Sequence, residues 1–389
     1  MSEPQFDLDV VLSLFDGISC GQEALKRAGI STRIFLASEI EKYPKMITRK
    51  NHPLTIQLGD VKNVVADDLP HVNLLMGGSP CQGFSFAGKQ LNFDDPRSAL
   101  FFEFVRLLKE CKPDYFLLEN VMMKQEYQDI ISTHVGVQPQ KKNSADVSAQ
   151  NRVRLYWWGK RVGDKYVQIP IPEIKDKGIV LKDVLDYSVT EVLSDKGMAY
   201  MLRSESTTKN IPRLKARAKY ENEKSHTLTT SLGLVPQRVI GIDRPCELKE
   251  YNKNSTCHHV ATATDIKGNE SIKRVYAETG KSPTVTTMGG GHREPKVLTS
   301  NKPTYRKLTV LECSRLQTLP DSYLQNCYDD KGKEISNSQK FKALGNGWTV
   351  DVIVNILQGL KKDRGLVVIK KKNEKGCTWF YFTFQEAAA

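Results

Sequence analysis

Short apolar runs alternate with segments of helical period from the start of the chain. "VVLSLF", from Val10, reads as a buried strand, and "GQEALKRAGI" as a helix stopping near Gly29. "RIFLASE" is a second strand, followed by the helical "EKYPKMITRKN". "HVNLLMGG", the amphipathic "RSALFFEFVRLLKECK" and then "DYFLLENV" repeat the strand–helix–strand rhythm. Strands alternating with helices predict βαβ units, hence an α/β fold whose parallel sheet is covered on both faces. Sheets of this kind bind ligands beyond the carboxyl ends of their strands, where the loops gather.

The rhythm fails between about Tyr166 and Asn301, a stretch rich in Lys, Thr, Ser and Gly. It holds a weak internal echo, "KSHTLTTSLG" at 224–233 and "KSPTVTTMGG" at 281–290. β-Branched residues closed by glycine suggest strands ending in turns, so a smaller, β-leaning inserted domain is expected. Regular pattern resumes with "RKLTVLECSRLQTL", helical in spacing and stopped by Pro320. "KFKALGNGWTVDVIVNILQGL" then gives a glycine turn and an apolar helix, and the tail reads as two strands about "NEKG". The expected division is 8–165 and 302–389 for one domain, with 166–301 inserted into it.

No apolar stretch reaches the roughly 18 residues of a membrane span. The opening "MSEPQFDLDV" lacks the layout of a secretory signal. Eight scattered cysteines with no C-x-x-C pair point to a reducing cytoplasm rather than a disulfide framework. "CHH" at Cys257–His259 sets its side chains too close together for a good chelate, so no metal is expected. The formal charge of +12 and pI near 9.1 suit a polyanionic partner.

Three clusters could carry chemistry. In "LFDGISCGQEAL", glycines after the first strand let the backbone approach a ligand at a helix N-terminus. Glu39, at the tip of the second strand, suits a pair of ribose hydroxyls. Asp60 could accept from an adenine amine, so an adenosine-containing cofactor is implied; the lesser alternative for both acids is a cap or surface group. Cys81, in "GGSPCQG", sits on a turn after a strand, where a thiol is exposed and competent as a nucleophile. Glu119 ends the strand "FLLENV", a placement that suits a proton donor, with Asn120 as a partner able to fix its carboxylate. Arg152 and Arg154 in "QNRVRLYWWG" would face one side of a strand and bind carbonyl or phosphate oxygens. Each cluster taken singly also reads as a strand-end ion pair.

The ordered set "FDG", "PCQ", "ENV", "QNRVR", "RLQ" and "GNGW" resembles the DNA (cytosine-5) methyltransferases along essentially the whole chain. The catalytic half is similar to the animal de novo enzymes and to phage and bacterial relatives. The family's first motif usually has glycine where this chain has Ser19, and its "GNS" is "GNGW" here, with Asn346 in place. The resemblance implies a Rossmann-like, S-adenosylmethionine-dependent sheet with an inserted target-recognition domain, and S-adenosylhomocysteine as product. It implies that Cys81 attacks C6 of a cytosine, that Glu119 bonds or protonates N3, and that Arg154 holds O2. Arg152 would support Arg154 and the nucleophile loop. The cofactor pocket would comprise Phe15, Asp16, Gly17, Glu39, Asp60, Val61, Pro80, Leu100 and Asn346, with Ser19 tightening its methionine end.

A stacked base is out of reach for this chemistry, so the cytosine must flip out of the duplex, and "GFSFAGKQLNFDDP" reads as a lid. Gln82 and Lys89 would act on its DNA side. Thr284 and Val285 resemble the threonine–aliphatic pair with which relatives approach the gap; Thr227 and Leu228, after His226, compete for the role. His292 and Arg293 could reach base edges. The expected partner is double-stranded DNA in the cytoplasm of a bacterial or phage-infected cell, for restriction-modification or phage genome protection. A monomer is expected, pairing being the alternative. A tRNA cytosine-5 methyltransferase, or a silent DNA-binding scaffold, remains the alternative reading of function.

Overall fold

The computed structural model describes residues 6–79, 99–187, 244–252, 254–288, 292–298, 304–361, 366–372 and 378–384. Pro80, Cys81, Gln82 and Lys89, and the earlier threonine–aliphatic pair Thr227 and Leu228, lie outside these residues.

The first half alternates as its pattern predicts. Strands β1 (Phe6–Leu14), β2 (Ile30–Ser38), β3 (Ile56–Gln57), β4 (Leu74–Gly78) and β5 (Tyr115–Val121) are separated by helices α1 (Cys20–Arg27), α2 (Lys42–Asn51) and α3 (Ala99–Cys111). After α4 (Gln125–Val135) come β6 (Pro139–Asn143), β7 (Val153–Val162) and β8 (Lys165–Gln168). The order across the sheet is β3-β2-β1-β4-β5-β7-β8, parallel as far as β5 and antiparallel at β7, with β6 also on β7.

Period-two alternation divides the core between the faces of this sheet. Val10, Leu12, Leu75, Phe116, Leu118 and Trp157 pack with Phe101, Phe104 and Leu107 of α3. Val11, Leu74, Met76, Leu117 and Trp158 face the opposite cluster, with Ala24 and Leu25 of α1. That second cluster is completed from far along the chain by α6 (Val310–Leu316), α7 (Asn337–Asn346) and α8 (Val350–Lys361), numbered after the short α5 (Glu270–Lys273). Among the described residues no helix is long and apolar enough to cross a membrane.

The inserted segment contains a small closed barrel of β9 (Arg244–Leu248), β10 (His259–Ala263), β11 (Arg274–Tyr276), β12 (Lys296–Leu298) and β13 (Thr304–Lys307). Closure removes exposed edges from strands too short to protect themselves. Two details differ from the expected boundaries: β8 belongs to the large sheet, and the barrel runs past residue 301. Residues 281–288 form no regular strand; Lys281 and Ser282 bond to the backbone of Thr256, Ala149 and Asn151, and side chains hold the backbone of Val285. Buried Lys281 anchors its start, donating to the carbonyls of Ala145, Ser148 and Ile179 and pairing with Asp176. The tail hairpin, β14 (Leu366–Lys372) and β15 (Thr378–Phe384), adds to the sheet beside β8.

Candidate active site

The strand order reverses between β1 and β4, and a cleft opens at their carboxyl ends. It is lined by Ser13, Leu14, Phe15, Asp16, Cys20, Gly21, Gly78, Asn346, Gly347 and Trp348. This is the switch point at which open α/β sheets take their ligands. The turn leaving β1 is sharp: Phe15, Gly17 and Ser19 have φ of 55°, 59° and 59°. Ser19 therefore holds a left-handed conformation that glycine adopts at less cost, which accounts for glycine in the resembling motif. Its buried hydroxyl donates to Asp16, and Ser19 is not among the residues lining the cleft.

Two carboxylates shape the electrostatics here. Ser13 donates to Asp16 at 2.6 Å, and burial pushes the Asp16 carboxyl up to about 6. Glu39, at the end of β2, accepts the backbone N–H groups of Gly17 (2.8 Å) and Glu41 (2.7 Å), and burial raises it too. The Asp16 carboxyl binds its proton more tightly folded than unfolded. Its contribution to stability is thus fully present below the unfolded value of 3.8 and is lost as pH rises through about 6. At 1.36 kcal/mol per pKa unit the difference between 3.8 and about 6 amounts to roughly 3 kcal/mol. Asp16→Asn is expected to gain stability relative to the native chain between pH 5 and pH 8. Denaturant melts at the two pH values check this; an equal difference at both contradicts it.

Of the other expected cofactor residues, Pro80 lies outside the described residues, Asn346 lines the cleft, and Asp60, Val61 and Leu100 are not among its lining residues. Asn346 ends α7 and is exposed at the cleft. Asp60 caps the single turn Val61–Asn63, accepting the Lys62 N–H at 3.0 Å. Val61 is buried in the core face shared with α3, against which half-buried Leu100 also packs. Ile40, which sequence reasoning passed over, is 67% exposed beside Glu39.

The catalytic corner is set by strand register. Gly78 of β4 lies beside Glu119 of β5, and Arg154 of β7 lies opposite Val121. Glu119 is buried; its Oε1 pairs with Arg154 Nε at 3.1 Å, and its Oε2 accepts the indole N–H of Trp348 at 3.1 Å. Asn120 does not fix this carboxylate as expected. Successive strand residues point to opposite faces, and Asn120 Nδ2 instead donates to Ser79 Oγ at 3.1 Å, on the residue before Pro80.

Arg152 precedes β7 instead of sharing a strand face with Arg154, and the nucleophile loop it was expected to support lies outside the described residues. Its buried guanidinium donates to the carbonyls of Val285 (3.1 Å), Gly345 (3.3 Å) and Gly347 (3.0 Å). Burial, and then the Arg154 charge, lower it to about 10. It joins the inserted segment to the turn on either side of Asn346. Gln150 reinforces that junction by accepting the Val285 N–H at 3.0 Å, and Gln317 donates to the Leu344 carbonyl at 2.7 Å. The packing is close: a Cβ on Gly345 would lie 2.3 Å from the Thr286 carbonyl.

Val285 was expected at the DNA gap, yet it is fully buried, its backbone held at both polar atoms by Gln150 and Arg152. Thr284 is half-buried and donates to the Asn151 carbonyl; the exposed residue of this run is Thr286. His292 and Arg293 are exposed, His292 with a φ of 61°. Trp348, Gln150, Gln317 and Ser79 were missed as site residues. Each lies inside a run singled out in the sequence, "GNGW", "QNRVR", "RLQ" and "GGSPC", but was given no role there.

Comparison with known proteins accords with this arrangement. Orphan methyltransferase M.SPBetaI of Bacillus phage SPbeta is 28% identical over 463 residues, covering 90% of this chain and 97% of that one. Orphan methyltransferase M.Rho11sI of Bacillus phage rho11s is 29% identical over 350 residues, covering 74% and 68%. Among solved structures, the Entamoeba histolytica methyltransferase EhMeth superposes with a TM-score of 0.58 at 14% identity, covering 91% and 98%, a likeness of fold. The family profile described as C-5 cytosine-specific DNA methylase matches residues 10–362. With that span, and with a strand-end glutamate and arginine paired beside a switch-point cleft, the chain belongs to the C-5 cytosine-specific DNA methylases.

Proposed function

We propose that the chain methylates C5 of a cytosine flipped out of a specific duplex DNA sequence, using S-adenosylmethionine as donor and Cys81 as nucleophile. The observation that carries this reading is Glu119, buried at the end of β5, paired with Arg154 and set beside Gly78, the last residue of β4, which precedes Cys81 by three positions in the sequence.

The donor's chemical groups suit the residues at the cleft. Glu39 and Asp60 retain carboxylate lone pairs beyond the backbone N–H groups they already accept, and can take ribose hydroxyl and adenine amine protons. Asp16, ionised above about 6, gives the cleft a negative group suited to a cationic ligand. When bound, S-adenosylmethionine supplies an electrophilic methyl group on a sulfonium and leaves as S-adenosylhomocysteine.

On the target side, the Cys81 thiolate bonds to C6 and the ring electrons move to C5. Glu119 holds or protonates N3, so the ring does not accumulate negative charge, and Arg154 holds O2. After transfer the C5 proton is lost and the thiolate is expelled, restoring the aromatic ring. Eversion of the base costs a few kcal/mol, and the formal charge of +12 favours the polyanion that supplies it. The similarity to phage orphan methyltransferases supports a role in marking phage or host DNA, within a bacterial cell, in restriction-modification or genome protection. Transfer of a radiolabelled methyl group is expected to label duplex DNA and leave tRNA unlabelled. Label in tRNA alone would overturn the choice of substrate, and bisulfite sequencing of DNA from an expressing host identifies the modified site.

A further inference from the structure

Among the described residues Glu119 has two partners, and only one of them is explained by the chemistry above. Arg154 comes from the neighbouring strand; Trp348 comes from the turn between α7 and α8, 229 residues away. The same indole is a wall of the cleft assigned to the methyl donor. Room for it is made by two glycines. A Cβ on Gly21 would meet the Trp348 ring at 3.4 Å as well as the Met76 sulfur, and one on Gly78 would sit 2.9 Å from Trp348 Nε1 and 2.8 Å from Glu119 Oε2. Gly78 ends β4, immediately before Ser79 and Pro80. The ring is thus fitted between the donor cleft, the strand leading to the nucleophile turn and the catalytic carboxylate.

We propose that Trp348 is a positioning residue for the reaction: its indole N–H fixes the plane of the Glu119 carboxyl from the donor side, so that the acid meets the target ring already oriented. This rests on the reading of Glu119 and of the cleft given above. The indole N–H and the guanidinium can only donate. Each carboxyl oxygen therefore accepts one fixed donor, and rotation of the carboxyl is stopped from both ends. Each oxygen keeps a second lone pair, so a proton can be carried toward N3 without either bond being given up. A tryptophan in the "GNGW" turn thereby links the segment bearing Asn346 to the group that handles the cytosine, a task no neighbour of Glu119 in sequence performs. Asn120, the residue next in the chain, is committed to Ser79.

Trp348→Phe keeps most of the ring and removes the N–H. One hydrogen bond to a charged group corresponds to about a tenfold effect or somewhat more, so kcat is expected to fall about tenfold while KM for S-adenosylmethionine stays within about twofold. The loss is expected to vanish in a Glu119→Gln background, where single-turnover rates of Glu119→Gln and of the double variant should agree, because paired residues are not additive. A role in packing alone lowers melting temperature or donor affinity and multiplies with Glu119→Gln; that result overturns the proposal, as does native kcat in Trp348→Phe. If Trp348→Phe does not fold, Gly78→Ala decides. Its methyl enters between the indole and the carboxylate, and the same kcat loss is expected; unaltered kcat refutes the link. Failure of the underlying reading is recognised separately, since Glu119→Gln would then be as active as the native enzyme.

Discussion

Cys81→Ser is expected to lower methyl transfer to duplex DNA by at least about 10⁴-fold, the scale seen when a covalent nucleophile is removed and binding groups remain. The size follows from the atom. A serine hydroxyl stays protonated near neutral pH and nothing adjacent in sequence can activate it, whereas a thiol reaches its nucleophilic anion easily. Without attack at C6, C5 is a poor carbon nucleophile, and the donor's methyl has nothing to accept it. The cleft at β1 and β4, with Asp16 and Glu39, should be unaffected, so S-adenosylhomocysteine binding by titration calorimetry is expected to be retained. Single-turnover transfer of radiolabel measures the loss. A residual rate within about tenfold of native would remove the covalent step from the scheme.

Glu119→Gln carries the next largest expected effect, a loss of about 10²–10⁴ in kcat, the range for a positioned general acid. Glutamine is nearly isosteric and its carbonyl can accept from Arg154 or from Trp348, though not from both at once. Its amide can neither supply a proton to N3 nor balance the guanidinium charge of Arg154. DNA affinity should change little, because the formal charge of +12 that attracts the backbone lies mostly elsewhere. Rate constants with binding measured in parallel separate the two contributions; a fall in affinity with an unchanged rate would assign Glu119 to recognition.

The catalytic half of the fold was legible because each strand is an apolar run set off by glycine or an acid, and each helix has its own stripe. β1, β2, β4 and β5 overlap "VVLSLF", "RIFLASE", "HVNLLMGG" and "DYFLLENV", with ends that differ by up to four residues, and the two expected tail strands pair with each other. The positions of Glu119, Arg154, Glu39 and Phe15 at strand ends followed from the same pattern. What stayed hidden is long-range. Trp348 reaches Glu119 across 229 residues and Arg152 reaches Gly347 across 195, and no local spacing encodes either contact. Asn120 was misassigned because adjacency in a strand places side chains on opposite faces. The run 281–288 looked like a strand from its β-branched residues, but its only ladder contact among the described residues is the bridge of Ser282 to Gln150, and Gln150 and Arg152 take the polar atoms of Val285. Burial of Val285 was illegible for the same reason: the side chains that hold it lie in another motif.

A synthetic duplex carrying 5-fluorocytosine at the methylated position offers the most direct measurement. Fluorine cannot leave C5 as a cation, so once the sulfur has bonded to C6 and the methyl has been delivered, elimination is blocked. Native enzyme with S-adenosylmethionine should yield a protein–DNA complex stable to denaturing electrophoresis, and Cys81→Ser should yield none. A native enzyme that methylates the ordinary duplex but leaves the fluorinated one unattached would contradict the account.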